Sequence, residues 1–525
     1  MSTKAGLTTA IFVLMTGAQV RAQIAEPVQV DGGVISGTTS RSPDVRAFKG
    51  VPFAAPPVGA LRWRPPQPIA PWNDVLKADH FAAQCVQLDD RPGAREPQSE
   101  DCLHLNIWTG AKSGSERRPV MVWIYGGGYR AGSTARPAYD GTALARRGVV
   151  FVSIAYRVGA LGFLAHPWLS AESPRHVSGN YGLLDQIAAL DWIKRNIASF
   201  GGDPDRVTIF GQSAGSISTS FMAASPLAKG KFTRLIGETG AAFGMLTPVP
   251  LAEAEKQGEA FAKRLGASSL ADLRGIDAAR IAREAGPASG TFQPINDGWV
   301  VPGTLAQIYR QGRQNDVAML IGSNGDEAGS DPRQTLTGYV SGLRSRYGAD
   351  ADALLRLHPA GNDVEARAAS RRLSTISLGD YTMSRWALAQ AASGKAPIYS
   401  YRFTHSPPIP PAQYPGGPDA PPPGAWHGSE IVYALGNLWA HDWPWTAEDR
   451  KLSDILQSYW VNFATSGNPN GPGLPVWPGF RAAPDRVMEL GGHVGPIARP
   501  DEATMAILAR HLDAPAEASD PAKGE

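Results

Sequence analysis

The 525-residue chain carries two cysteines, ten histidines and almost no net charge, and each shortage excludes something. Two cysteines cannot staple a fold that lacks a core of its own, and no histidines gather around them at zinc-site spacing. Basic tracts are absent and the 50 basic residues nearly balance 48 acidic ones, so no nucleic acid or other polyanion partner is implied. There is no phosphate-cradling P-loop and no internal repeat. The N-terminal apolar run, Ala5 to Met15, is well short of the roughly 20 residues that span a bilayer, so no membrane anchor is expected.

What is present reads as an exported globular protein. Hydrophobic residues make up 43% and charged residues 19%, the balance of a chain with a large core. Lys4, the apolar run and the small-residue site Val20-Arg21-Ala22 predict a signal peptide over residues 1–22, cleaved after Ala22, with a periplasmic or secreted destination. In that compartment Cys85 and Cys102 are expected to form one disulfide closing a short loop. The body is expected to be one domain over residues 23–512, followed by a disordered tail over 513–525.

"VQVDGGVISGTTSRSPDVRAFKGVPFA" alternates like short antiparallel strands. "RPVMVWIYGGG" and "GVVFVSIAYR" are near-continuous apolar runs, as in strands buried on both faces of a sheet. In "NYGLLDQIAALDWIKRNIASF", Leu183, Ile187, Leu190, Ile193 and Ile197 recur at helical spacing. Residues 248–283 and 334–393 read as helical, while the proline-rich stretch 407–424 cannot enter a sheet interior. Strand and helix alternate throughout, which predicts an α/β fold: a mostly parallel central sheet with helices on both faces and helical insertions.

The chemistry centres on "RVTIFGQSAGSIS". Ser213 stands between a buried strand and a helix, in Gly-x-Ser-x-Gly, where Gly211 and Gly215 let the backbone turn sharply enough to expose a nucleophile. A serine needs a base, an orienting acid and oxyanion donors. Gly126-Gly127-Gly128 ends another buried strand and can bring amides to a developing negative charge. The ten histidines do not sort themselves, but His427 in "GAWHGSE" lies where the Ser, acid, His order places a base. The acid then falls between them, and both Asp326 and Glu327 in "IGSNGDEAG" qualify.

These residues, with "FKGVPFAAPPVGALRWRPP", "SEDCLHLNIW", "VWIYGGGYRAGS", "YRVGALGFL", "FQPINDG", "WHGSEIVYALGNL" and "NFATSGNPN", resemble the type-B carboxylesterases, the carboxylesterase and cholinesterase branch of the α/β-hydrolases. The resemblance runs through nearly the whole mature chain. It implies Ser213 as nucleophile, His427 as general base and acid, Glu327 as orienting acid, and the amides of Gly127, Gly128 and Ala214 as oxyanion hole. It also implies the Cys85–Cys102 bridge, an Arg62–Glu100 ion pair bracing its loop, and a small-molecule ester as substrate with no cofactor. Three departures stand out: Gln212 where many members have glutamate, Ala155 where asparagine is common, and Glu-Thr-Gly at 238–240 in place of Gln-Ser-Gly. The disulfide loop lacks the cation-binding tryptophan of cholinesterases, which argues against choline esters.

Arg130, two residues beyond Gly128, raises the expectation of a substrate that carries a carboxylate. The same triad would also serve an amidase, a carbamate hydrolase or a lipase. A non-catalytic binding protein, as in adhesion members that have lost the nucleophile, is disfavoured because serine, histidine and glutamate are all present.

Overall fold

The computed structural model describes residues 24–88, 97–286, 292–329, 331–414, 417–418, 420 and 422–512. The expected signal peptide with its cleavage site and the expected tail at 513–525 lie outside the described residues.

The framework is an eleven-stranded sheet. In chain order its strands are β1 (Thr38–Thr39), β2 (Arg46–Pro52), β3 (His104–Thr109), β4 (Arg118–Ile124), β5 (Val150–Ile154), β6 (Gly202–Gln212), β7 (Arg234–Glu238), β8 (Ala318–Asn324), β9 (Ile398–Phe403), β10 (Arg486–Leu490) and β11 (Val494–Ala498). Across the sheet they run β11-β10-β9-β8-β7-β6-β4-β5-β3-β2-β1. From β5 to β10 every pairing is parallel, and antiparallel strands close both edges. The parallel run needs crossovers, and these carry helices over the sheet faces.

Burial explains the apolar strands read from the sequence. Val120, Met121, Val122, Trp123 and Ile124 of β4 are wholly inaccessible, so no residue of this run needs to be polar. Trp123 meets Phe210 of β6 with ring centroids 5.0 Å apart, and Phe151 of β5 lies 6.0 Å from Phe210, which ties the three central strands together. Helix α1 (Tyr181–Asn196) presents Leu183, Ile187, Leu190 and Ile193 to this core. It also buries Asp185, which accepts a two-pronged bond from Arg157 at 2.9 and 2.7 Å and a third from the Arg157 backbone amide at 3.0 Å. Losing either partner would strand the other charge in the core, which costs about 3–5 kcal/mol.

The expected helices over 248–283 appear as Leu251–Leu265, Leu270–Gly275 and Ala278–Ala285. Those over 334–393 appear as Leu336–Tyr347, Ala351–Leu357, Asp363–Thr375 and Thr382–Ser393. This second group has a small core of its own, in which Tyr339, Leu343, Leu354 and Leu373 pack with Leu508 from near the C-terminus. Cys85 and Cys102 are joined, with Cα atoms 5.0 Å apart. Arg62 braces the loop through Glu100 at 2.7 and 2.5 Å, and also donates to the carbonyls of Arg274 and Ile276 at 2.8 and 2.6 Å. No helix of the described residues is long and apolar enough to cross a membrane.

Candidate active site

β6 ends at Gln212 and α2 (Ala214–Ala224) begins at Ala214, leaving Ser213 alone to reverse the chain. It does so at φ 58° and ψ −124°, a conformation that a residue with a side chain occupies only under constraint. The constraint is visible on both sides. Ser213 N donates to the Glu238 carbonyl at 2.9 Å, and Ile217 N donates to the Ser213 carbonyl at 2.8 Å. A Cβ on Gly215 would lie 1.9 Å from the Ile124 carbonyl oxygen, so α2 reaches β4 only because position 215 has no side chain.

The glycine run beyond β4 borders the serine directly. A Cβ on Gly126 would stand 2.9 Å from Ser213 Cβ, and Gly127, at φ 127°, has no room for one beside the Ala131 carbonyl. Gly127 and Gly128 thus lie on the elbow side of the sheet edge, where Ala214 opens α2. N–H groups there, with a helix N-terminus behind them, suit a developing oxyanion.

His427 and Glu327 meet: Nδ1 donates to Oε2 at 2.6 Å. The Glu327 side chain is fully buried and its other oxygen accepts from Asn324 N and Thr239 Oγ1, both at 2.5 Å. The His427 ring keeps 34% of its surface exposed. Burial works to lower its pKa, but the bond to Glu327, the Glu327 charge and the Glu430 charge outweigh that, and the pKa is raised. With the proton on Nδ1, Nε2 is left as the acceptor, and it lies 3.2 Å from Gln212 Nε2, which donates to it. Among the described residues Ser213 Oγ is not hydrogen-bonded, so serine and imidazole are on one edge without a closed bond, as is common before substrate binds.

Of the two acids left open by the sequence pattern, Asp326 points elsewhere. It accepts from Arg371 Nη2 at 2.8 Å and from Ala425 N at 3.0 Å, holding the loop before His427 against the end of β8. Arg130 lines a small cavity with Val86, Leu161 and Phe292, and its Nε lies 3.6 Å from where a Cβ on Gly128 would stand. Sequence reasoning missed Thr239 and Asn324 as supports of Glu327, and Trp460, which donates to Glu238 Oε1 at 2.8 Å. The Glu-Thr-Gly departure was the signal for the first of these. Among the described residues no group of three His, Cys, Asp or Glu side chains is placed to hold a metal ion.

Residues 25–350 and 333–505 match the carboxylesterase family. The chain is 38% identical to the fumonisin B1 esterase of Sphingopyxis macrogoltabida, over 94% of this chain and 93% of that protein. It is 34% identical to the para-nitrobenzyl esterase of Bacillus subtilis (strain 168), over 85% and 91%. Among solved structures it resembles a PNB esterase with a TM-score of 0.77 and 31% identity, covering 92% of this chain and 99% of that one.

Proposed function

The chain belongs to the carboxylesterase family and is a carboxylic ester hydrolase with the α/β-hydrolase fold, and from that premise we propose that Ser213, His427 and Glu327 carry the reaction. His427 Nε2 takes the proton of Ser213 Oγ as that oxygen attacks the ester carbonyl carbon. The carbonyl oxygen becomes an oxyanion, held by the amides of Gly127, Gly128 and Ala214. His427 then protonates the departing alcohol, leaving an acyl group on Ser213. Water, deprotonated by His427, attacks the acyl carbon, and the acid leaves as Ser213 recovers its proton. Glu327 keeps the imidazole proton on Nδ1 and stabilises the imidazolium. No cofactor enters any step.

The observation that carries this reading is the 2.6 Å His427–Glu327 bond beside a serine held at φ 58°. It is tested by fluorophosphonate labelling of the purified protein with peptide mapping. One adduct on Ser213 is expected, with Ser213→Ala unlabelled and its kcat on a short p-nitrophenyl ester lower by about 10⁶-fold. Labelling elsewhere, or an active Ser213→Ala, refutes it.

For the substrate, para-nitrobenzyl esters and fumonisin B1, the compounds named for the relatives, are the first to try. Arg130, whose Nε lies beside Gly128, supports a preference for esters that also bear a carboxylate. The ratio of kcat/KM for an acidic half-ester to that for a neutral ester should fall in Arg130→Ala, and an unchanged ratio removes Arg130 from the specificity argument. The single mature domain over residues 23–512 and the export of the chain belong to the same proposal.

A further inference from the structure

Two departures from the family pattern turn out to be neighbours. Gln212 and Glu238 are register partners on β6 and β7, so the chain has an amide where many members have a carboxyl, and a carboxyl one strand over where the usual residue is an amide. Glu238 has no solvent access at all, and neither has Glu430 in the turn after His427.

Their hydrogen bonds are incomplete in matching ways. Glu238 Oε1 accepts from Trp460, and Oε2 has no partner. Glu430 Oε2 accepts from Asn324 Nδ2, and Oε1 has no partner. Two buried carboxylates with one bare oxygen each, acting on one another, would stack like charges in a medium that screens them poorly. A single proton on the pair removes one of the two like charges. The other titratable groups acting on the pair are Glu327 from the end of β8, His427 from the preceding turn, and Tyr401 of β9, whose hydroxyl is also buried.

We propose that Glu238 is a positioning residue of the esterase: it remains a neutral carboxylic acid, donates its proton from Oε2 to Oε1 of Glu430, and keeps Glu430 as the charged member facing His427. The directions of the shifts agree. Burial, with Glu430 adding, pushes Glu238 well above the carboxylate range; burial, with Glu327 adding, pushes Glu430 only up to about 7. Above that pH the pair holds one proton and one charge. The charge supports the imidazolium that forms as Ser213 is deprotonated, and it substitutes for the carboxyl missing at Gln212. This role rests on the triad reading above.

The full-length protein tests it by infrared spectroscopy in D2O at pD 8 and by pH profiles of kcat and KM on p-nitrophenyl butyrate. Wild type should show one carboxylic acid C=O band that E238Q lacks. E238Q can still donate an N–H to Glu430 and should rescue both kcat and the acid limb, whereas E238L cannot. In E238L, Glu430 takes up a proton, the acid limb moves to lower pH by about one unit, and kcat falls about three- to tenfold with KM unchanged. No acid band in wild type, or the same profile in E238Q and E238L, overturns the proposal. If E238L does not fold, the wild-type and E238Q spectra decide alone. Fluorophosphonate labelling separates the failures: an unlabelled wild-type Ser213 refutes the triad, while a labelled one with either overturning result refutes the role of Glu238 only.

Discussion

Glu327→Gln keeps the shape of the side chain and removes one charge, and the hydrogen bonds around it decide how the replacement must sit. Oε1 accepts from Asn324 N and Thr239 Oγ1, and Oε2 accepts from His427 Nδ1. A glutamine has one acceptor oxygen. Placed at Oε1, it keeps two bonds and turns its NH2 toward Nδ1. Turned the other way, it sets NH2 against the Asn324 amide and leaves a buried donor unpaired, at a cost of about 1–3 kcal/mol. The first orientation wins. Its NH2 then donates to Nδ1, which drives the imidazole proton onto Nε2, the nitrogen that must receive the proton of Ser213. A wrong tautomer of this kind costs about 10³–10⁴-fold in kcat, or about 4–5.5 kcal/mol, against about 10⁶-fold for loss of the serine. The assay is kcat on p-nitrophenyl butyrate at pH 8, with active sites counted by fluorophosphonate titration. A loss of less than about tenfold would refute the reasoning and return the orienting role to Asp326 or Glu430.

Activity should fall as pH drops through the His427 pKa, because the base must be neutral; that pKa is raised, so the acid midpoint of kcat/KM is expected above the ordinary value near 6.5, and a midpoint below it would mean that the bond and charge of Glu327, with the Glu430 charge, do not outweigh burial of the imidazole. Replacing Cys85 and Cys102 together by serine opens a loop of sequence separation 17, which the chain-entropy relation values at roughly 3 kcal/mol. Urea unfolding should show that loss, and one under about 1 kcal/mol would mean the loop stays closed without the bridge, the Arg62–Glu100 pair being the first suspect. Gly215→Ala should yield no folded protein, since its Cβ would meet the Ile124 carbonyl at 1.9 Å, whereas Gly275→Ala, with nothing within 4 Å, should fold as wild type; soluble yield and circular dichroism distinguish them.

The strand, elbow and helix around Ser213 were legible because each is a local requirement: β-branched residues for a strand buried on both faces, and glycines where backbone meets backbone. The orienting acid was not legible from the residues alone. Asp326 and Glu327 are adjacent, equally acidic and in one turn, and the choice between them depends on partners far away in sequence, Arg371 for one and His427 for the other. Family resemblance points to Glu327, and it is Glu327 that lies 2.6 Å from His427 Nδ1. The Arg157–Asp185 pair gave no sequence signal, because neither residue is unusual at a strand end or on a helix until the two are buried together. Glu238 was visible only as an odd letter at the end of a strand, since Trp460 and Glu430 arrive from segments about 190 to 220 residues further on.

The order of the strands explains why that odd letter matters. All the central strands are parallel, so their carboxyl ends share one edge, and residues more than 200 positions apart are delivered to it. Ser213 follows β6 and Glu327 follows β8, two spacings or roughly 10 Å away, a gap bridged by the imidazole and carboxylate lengths. β7 lies between them. Whatever side chains stand at the end of β7 therefore lie beneath the His427–Glu327 pair: Thr239 holds one oxygen of Glu327, and Glu238 is buried where the charge of Glu430 acts on it. A carboxyl placed there acts on the charge of the site from behind, without narrowing the face that must admit an ester. One at position 212 would sit against His427 Nε2 itself, where Gln212 now offers a neutral amide. With a neutral acid at the end of β7 and the charge on Glu430 in the turn after His427, the negative charge stays near the imidazolium and out of the path of the substrate. On this geometry an ester bearing its own negative charge should be repelled less than it would be with a carboxylate at 212, so Gln212→Glu should lower kcat/KM for an acidic half-ester more than for a neutral one. Equal effects on both would mean that position 212 does not face the substrate.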